Sequence, residues 1–136
     1  YNCRNIMEIL EVTEDNIKEY EAFLDRSMSS SRNEVAAVKN YIYQHYEEDL
    51  NLEMLAEKVY LSSGYLSFIF KKETGMSFVE YLTDTRMKEA MRLLKETSEK
   101  IYVVAQKVGY LESGYFSHVF KKKYGMSPIQ CRRQGQ

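Results

Sequence analysis

A stretch of about twenty residues occurs twice in this chain, fifty positions apart, and this duplication constrains the fold more than any other feature. Leu61-Ser62-Ser63-Gly64-Tyr65-Leu66-Ser67-Phe68-Ile69-Phe70-Lys71-Lys72 returns as Leu111-Glu112-Ser113-Gly114-Tyr115-Phe116-Ser117-His118-Val119-Phe120-Lys121-Lys122. Each copy closes on Gly-Met-Ser, at Gly75-Met76-Ser77 and Gly125-Met126-Ser127. Upstream the echo continues with a shift of one residue, Leu55-Ala56-Glu57-Lys58-Val59 answering Val104-Ala105-Gln106-Lys107-Val108. Two copies are too few for a solenoid. The chain reads as a pair of equivalent modules, an arrangement suited to a ligand that itself repeats.

Helical spacing recurs almost everywhere, broken only by one proline, Pro128, and six glycines. Residues 5–12 and 14–26 read as one or two short helices, with Thr13 as an N-cap and Ile17, Tyr20 and Leu24 as an apolar stripe. Ser27 to Ser31 is a polar break that reads as a linker. Residues 1–31 are therefore expected to be the end of an upstream signalling region, and 32–136 the main domain. Seven helices are predicted there. The first, 33–46, carries Val35, Val38, Ile42 and Tyr46 on one face, with Tyr41 beside them. Asn51 caps 52–58, Ser62 or Ser63 caps a helix at about 63–73 that ends on a left-handed Gly75, and Ser77 caps a long helix over 78–96. Ser98 starts 99–107, Glu112 or Ser113 starts 113–123, and Ser127 with Pro128 starts 128–133. No stretch alternates with period two over a strand's length, so an all-α fold is predicted.

Charge sharpens the picture. The net charge is −1, but residues 1–57 carry 5 Lys/Arg against 13 Asp/Glu, while 58–136 carry 14 against 7. After Glu112 no acid remains, and Lys121, Lys122, Lys123, Arg132 and Arg133 follow. Such asymmetry is a hint of nucleic-acid binding, and here it coincides with the repeats. No apolar run approaches the roughly 20 residues needed to cross a bilayer, and no signal-peptide pattern is present. Cys3 and Cys131 lack CxxC spacing and read as unpaired thiols of a reducing cytoplasm, with a long-range disulfide as the alternative. The chain starts at Tyr1 without an initiator Met, and is expected to be part of something longer.

In each repeat a short helix, a turn of three or four residues and a second helix follow in order, which is the helix-turn-helix outline. Ala56 and Ala105 are small where the first helix would press on the second. Gly109 stands where the chain must turn sharply; the first copy has Tyr60 there, with a turn one residue shorter and a prospect of strain. At 100° per residue, Tyr65, Leu66, Ile69 and Phe70 cover one side of the second helix, as do Tyr115, Phe116, Val119 and Phe120, and these sides are expected to be core. The opposite stripe holds Gly64, Ser67, Phe68 and Lys71 in one copy and Gly114, Ser117, His118 and Lys121 in the other. Small residues let a helix sit deep in a major groove, hydroxyls and imidazole can contact base edges, and Phe68 can cover thymine methyl groups. Lys71, Lys72, Lys121 and Lys122 recur after Phe in both copies and are expected at phosphates; helix-end charges favoured by the dipole are the alternative. A connecting helix of roughly 19 residues is about 28 Å long. Such a rod can set two reading helices about 34 Å apart, one turn of duplex DNA.

Residues 33–136 resemble the DNA-binding domain of the AraC/XylS family of bacterial transcription regulators. The second repeat carries the likeness most closely: Gly109-Tyr110, Ser113, Tyr115-Phe116-Ser117, Phe120-Lys121-Lys122, Gly125-Met126-Ser127-Pro128 and Arg132. The resemblance implies seven helices, two helix-turn-helix units bridged by one long helix. It implies base reading by Ser63, Gly64, Ser67, Phe68 and Lys71, then Ser113, Gly114, Ser117, His118 and Lys121. Phe68 and His118 stand where family members often have Arg, and Cys131 where Tyr is usual. Double-stranded operator or promoter DNA is the implied partner, with RNA polymerase a further candidate, and no membrane, cofactor or metal. An upstream receiver or effector-sensing domain is implied as well, the tyrosine-rich, serine-linked style being similar to the response-regulator branch.

Competing readings follow from the same residues. His118 taken alone is a surface histidine, and Phe68 taken alone could pack in a core. An enzyme is disfavoured: the two histidines fall on different helices, paired thiols and a glycine-rich phosphate loop are lacking, and the serines sit at helix starts where capping explains them. The main alternative is a helical protein-interaction module, followed by a DNA-coating protein without sequence preference.

Overall fold

Small polar residues punctuate the chain and cap the helices they precede. A computed structural model describes residues 32–134; the expected helices at 5–12 and 14–26, the Thr13 cap and the serine-rich break lie outside the described residues. Seven helices follow in order: α1 (32–45), α2 (Leu52–Lys58), α3 (Ser63–Thr74), α4 (Phe78–Glu96), α5 (Ile101–Lys107), α6 (Ser113–Tyr124) and α7 (Pro128–Gln134). No strand occurs among the described residues. The Asn51 side chain accepts from the Met54 amide at 2.8 Å, and the Ser62 hydroxyl from that of Tyr65 at 3.2 Å. Ser77 and Glu80 form a reciprocal capping box, and Ser127 and Gln130 repeat it at α7. Gly75 and Gly125 close α3 and α6 in the left-handed conformation.

Two expectations need correction. Ser98 does not start the fifth helix: Lys100 is its N-cap, without a side-chain hydrogen bond, and α5 begins at Ile101. The reason lies one residue earlier. Thr97 Oγ1 donates to the Leu93 carbonyl at 2.7 Å and accepts from the Glu99 amide at 3.3 Å, which keeps the chain turned and non-helical there. The turns inside the two units are also longer than three or four residues in the second case, spanning 59–62 and 108–112.

Among the described residues the buried side chains form two cores. The first gathers Val35, Val38 and Ile42 of α1, Leu50, Leu55 and Ala56, and Leu66, Ile69 and Phe70 of α3, with Leu82 from α4. The second gathers Met87, Ala90, Leu93 and Leu94 of α4 with Val104, Ala105, Val108, Tyr110, Phe116, Phe120 and Cys131. Helix α4 thus feeds both, and half-buried Tyr46 packs against both. Ala56 and Ala105 are 2% and 1% exposed, as expected where helices cross closely.

Arg86, midway along α4, braces the junction. Its Nε donates to the Tyr46 carbonyl at 2.7 Å and its Nη2 to the Glu48 carbonyl at 2.8 Å, just beyond the end of α1. Carbonyls at a helix C-terminus lack intrahelical donors and favour a cation. The other side of the guanidinium faces the second unit, 5.3 Å from the Tyr110 ring centroid. Gly109, at φ 102°, lies so close that a Cβ there would come within 3.0 Å of the guanidinium carbon. The glycine is required twice over, by its backbone and by its neighbour. Its counterpart Tyr60 holds φ 60° with its side chain 94% exposed, so the first unit carries left-handed strain, worth roughly 1–2 kcal/mol for an L-residue. Arg132 plays a similar part at the far end of α4, donating from Nε to the Leu94 carbonyl at 3.0 Å and from Nη1 to that of Glu99.

Gly109→Ala is expected to cost about 1–3 kcal/mol in urea unfolding. The cost should shrink in an Arg86→Ala background, since the two residues touch; additive losses would show that the contact is not the source.

Candidate nucleic-acid interface

The second helix of each unit, α3 or α6, is held by its buried side and leaves the other side open. Leu66, Phe70, Phe116 and Phe120 are fully buried and anchor the two helices, each such side chain contributing roughly 1.5–3 kcal/mol. Opposite them, Gly64, Ser67, Phe68, Lys71 and Lys72 are exposed on α3, and Ser113, Gly114, His118, Lys121 and Lys122 on α6; Ser63 and Ser117 are half-buried. The structure thus gathers all the expected reading residues on two outer faces. Phe68 is 63% exposed, so the core alternative for it fails. The Lys72 ammonium lies 6.0 Å from its ring centroid.

Tyr65 and Tyr115 were expected in the core and are not: they are 43% and 59% exposed. At about 100° per residue, each sits at the border between buried and open sides, where a long aromatic side chain swings outward. Tyr115 keeps one contact, its ring 5.8 Å from that of Tyr110. The two tyrosines therefore flank the reading stripes, and the signal that reveals them in the sequence is their identity in both copies.

Ion pairing separates the lysines of the two helices. Among the described residues, Lys72, Lys121 and Lys122 form no ion pair within 4 Å, while Lys71 lies near enough to Glu80 to favour its charged form. The Ser77 amide, with the Ser77 hydroxyl, is the main cause that holds the Glu80 carboxyl below its ordinary range. Lys123, the residue after the repeated pair, is different. Its Nζ lies 2.6 Å from Asp84 Oδ1 on α4, whose Oδ2 is 3.0 Å from Lys88. Burial alone would raise the Asp84 carboxyl, but hydrogen bonds and charge from Lys123 and Lys88 outweigh it and lower it. This bridge ties the end of α6 to the connecting helix, and the sequence did not mark it. The other histidine, His45, stacks on Tyr41 at 4.2 Å and contacts Glu48 at 2.7 Å, on α1 and away from His118's helix.

Two helix-turn-helix units, each with a small, hydroxylated and basic outer stripe, and one helix running through both cores define a double helix-turn-helix protein. Residues 55–134 match a helix-turn-helix domain family. The C-terminal domain of AraT, a response regulator from Geobacillus stearothermophilus, is 43% identical with a TM-score of 0.72, covering 74% of this chain and 84% of that one. The DNA-binding domain of AdpA, a global transcriptional factor solved in complex with a target DNA, is 26% identical with a TM-score of 0.71, covering 74% and 90%. The Msm operon regulatory protein of Streptococcus mutans is 36% identical over 86 residues, 63% of this chain and 31% of that protein. The chain belongs to the AraC-type helix-turn-helix family. It spans about a third of the length of the first curated relatives it matches.

The Asp84 bridge carries a pH signature. Its folded-state pKa is lowered, so its stabilisation is present above the unfolded value of about 3.9 and is lost as pH falls through the folded value. Asp84→Asn should therefore be less stable than wild type at pH 7, with the gap closing below about pH 4. A gap that stays constant down to pH 2 would remove the carboxylate's charge from the explanation.

Proposed function

We propose that this chain binds double-stranded DNA in a sequence-specific way and regulates transcription from it, seating α3 and α6 in successive major grooves. The observation that carries the reading is the repeated outer stripe. The same glycine, serine and paired lysines stand at the same turns of two helices, the glycines and lysines open to solvent, on one continuous support. Ser63, Gly64, Ser67 and Phe68, and Ser113, Gly114, Ser117 and His118, meet base edges in this reading. Lys71, Lys72, Lys121 and Lys122 meet phosphates, which position the protein without specifying sequence. Family membership and the likeness to a domain solved on its target DNA support it.

The chain acts here as a binding module and not as an enzyme. Residues 32–136 are the DNA-binding part in this reading, and 1–31 the end of a linker from a receiver or effector-sensing domain. The likeness to the C-terminal domain of a response regulator favours the receiver. Cytoplasmic location follows from work on DNA; no helix among the described residues is long and apolar enough to cross a membrane. RNA polymerase is the further partner such a role calls for.

Affinity for duplex should fall steeply with salt, by about 0.9 log units per log salt for each phosphate contact. Lys121→Ala should weaken all duplexes alike and reduce that slope by about 1, read by fluorescence anisotropy over a salt series. Salt-independent binding, or a partner protein that binds α3 and α6 while DNA does not, would overturn the proposal.

A further inference from the structure

Helices α3 and α6 can be compared position by position, since both have 12 residues and both open on Ser-Gly-Tyr. They differ at five positions, and four of these are turned away from the reading stripe. Leu66 and Phe116 are fully buried, while Ile69 and Val119 pack into their respective cores. Thr74 donates to the Phe70 carbonyl at 2.7 Å, and Tyr124 lies 4.8 Å from the Phe120 ring. Glu73 and Lys123 fall about 180° round the helix from Gly64 and Gly114. They pair with other helices, Glu73 with Arg32 of α1 at 4.0 Å and Lys123 with Asp84 of α4 at 2.6 Å. The N-cap residues Ser62 and Glu112 also differ and are exposed, but they precede the helices in extended backbone and lie outside the stripe. Within the stripe of Gly64, Ser67 and Lys71 one difference remains, Phe68 against His118, both exposed.

We infer that the DNA target is an imperfect repeat whose two half-sites offer the same bases to Ser67 and Ser117 and differ at the base pair beneath Phe68 and His118. The inference rests on the DNA-binding reading above and deepens it. Side-chain chemistry names the bases. Phe68 has neither donor nor acceptor, so over a major groove it gains only by covering apolar surface, and the thymine methyl is the apolar group presented there. His118 carries a ring N–H donor in either tautomer, and N7 is the acceptor that guanine and adenine share. The half-site under α3 therefore has thymine where the half-site under α6 has a purine. Two modules that are otherwise alike along the stripe become distinguishable through this pair, which fixes the direction in which the chain lies along its target.

The test is selection from random duplexes with the full chain as wild type, as Phe68→His, as His118→Phe, and with both exchanged. Wild type should enrich two half-sites alike except for thymine in one and purine in the other. Phe68→His should make the half-sites match and lower affinity for the wild-type target about tenfold, the cost of one wrong base pair. The double exchange should transpose the two bases. Both positions are exposed, so neither core is disturbed. A recovered motif that the exchange leaves unchanged, or wild-type half-sites that differ at many positions, would overturn this inference alone. No enriched duplex from the wild-type chain would overturn it together with the DNA-binding reading.

Discussion

The Arg86 guanidinium braces the junction between the two halves of this molecule. The first core and the second core are separate clusters, and the helix that runs through both could bend or swivel between them if nothing else tied its neighbours together. Arg86 removes that freedom. It completes the end of α1 through two carbonyls, lies against the Tyr110 ring, and fills the space that a side chain at position 109 would need. Charged hydrogen bonds to carbonyls at a helix end are roughly twice as strong as neutral ones, and a planar fork loses little freedom in making two. Arg132 at the end of α4 and the Asp84–Lys123 bridge then fix α7 and α6 to the same support.

Duplication explains why so much of the fold was legible. The caps at Asn51, Ser62, Ser77 and Ser127, the left-handed glycine at 75 and the buried phenylalanines at 70 and 120 are local signals, each decided within one helical turn. The outer stripes were legible for the same reason, since helical periodicity places Gly64 and Phe68 opposite Leu66 and Phe70. What failed depended on distance. Lys100 replaces Ser98 as N-cap because Thr97 reaches back to Leu93. Tyr65 and Tyr115 face outward because the border of a helix has no room set aside for them in either core. The roles of Arg86 and Lys123 require knowing which helices meet, and no pattern within one helix carries that.

The two copies have diverged unevenly, and the pattern is informative. Away from the stripes, Glu73 and Lys123 serve different neighbours, Leu66 and Phe116 fill different cores, and the turns use Tyr60 in one case and Gly109 in the other. The stripes themselves are nearly uniform. Inward residues answer to unlike surroundings within the molecule. Outward residues answer to whatever the chain binds, and their sameness matches a partner that presents similar features twice, as the grooves of a duplex do.

The most direct test of the brace is a distance distribution between spin labels at Lys72→Cys and Lys122→Cys in a Cys3→Ser chain, measured by pulsed electron resonance with and without Arg86→Ala. A narrow single distribution is expected with Arg86 present, and a clearly broader one without it while helix content is unchanged. Equal widths in the two chains would contradict the account and leave α4 alone as the determinant of how the two units are set.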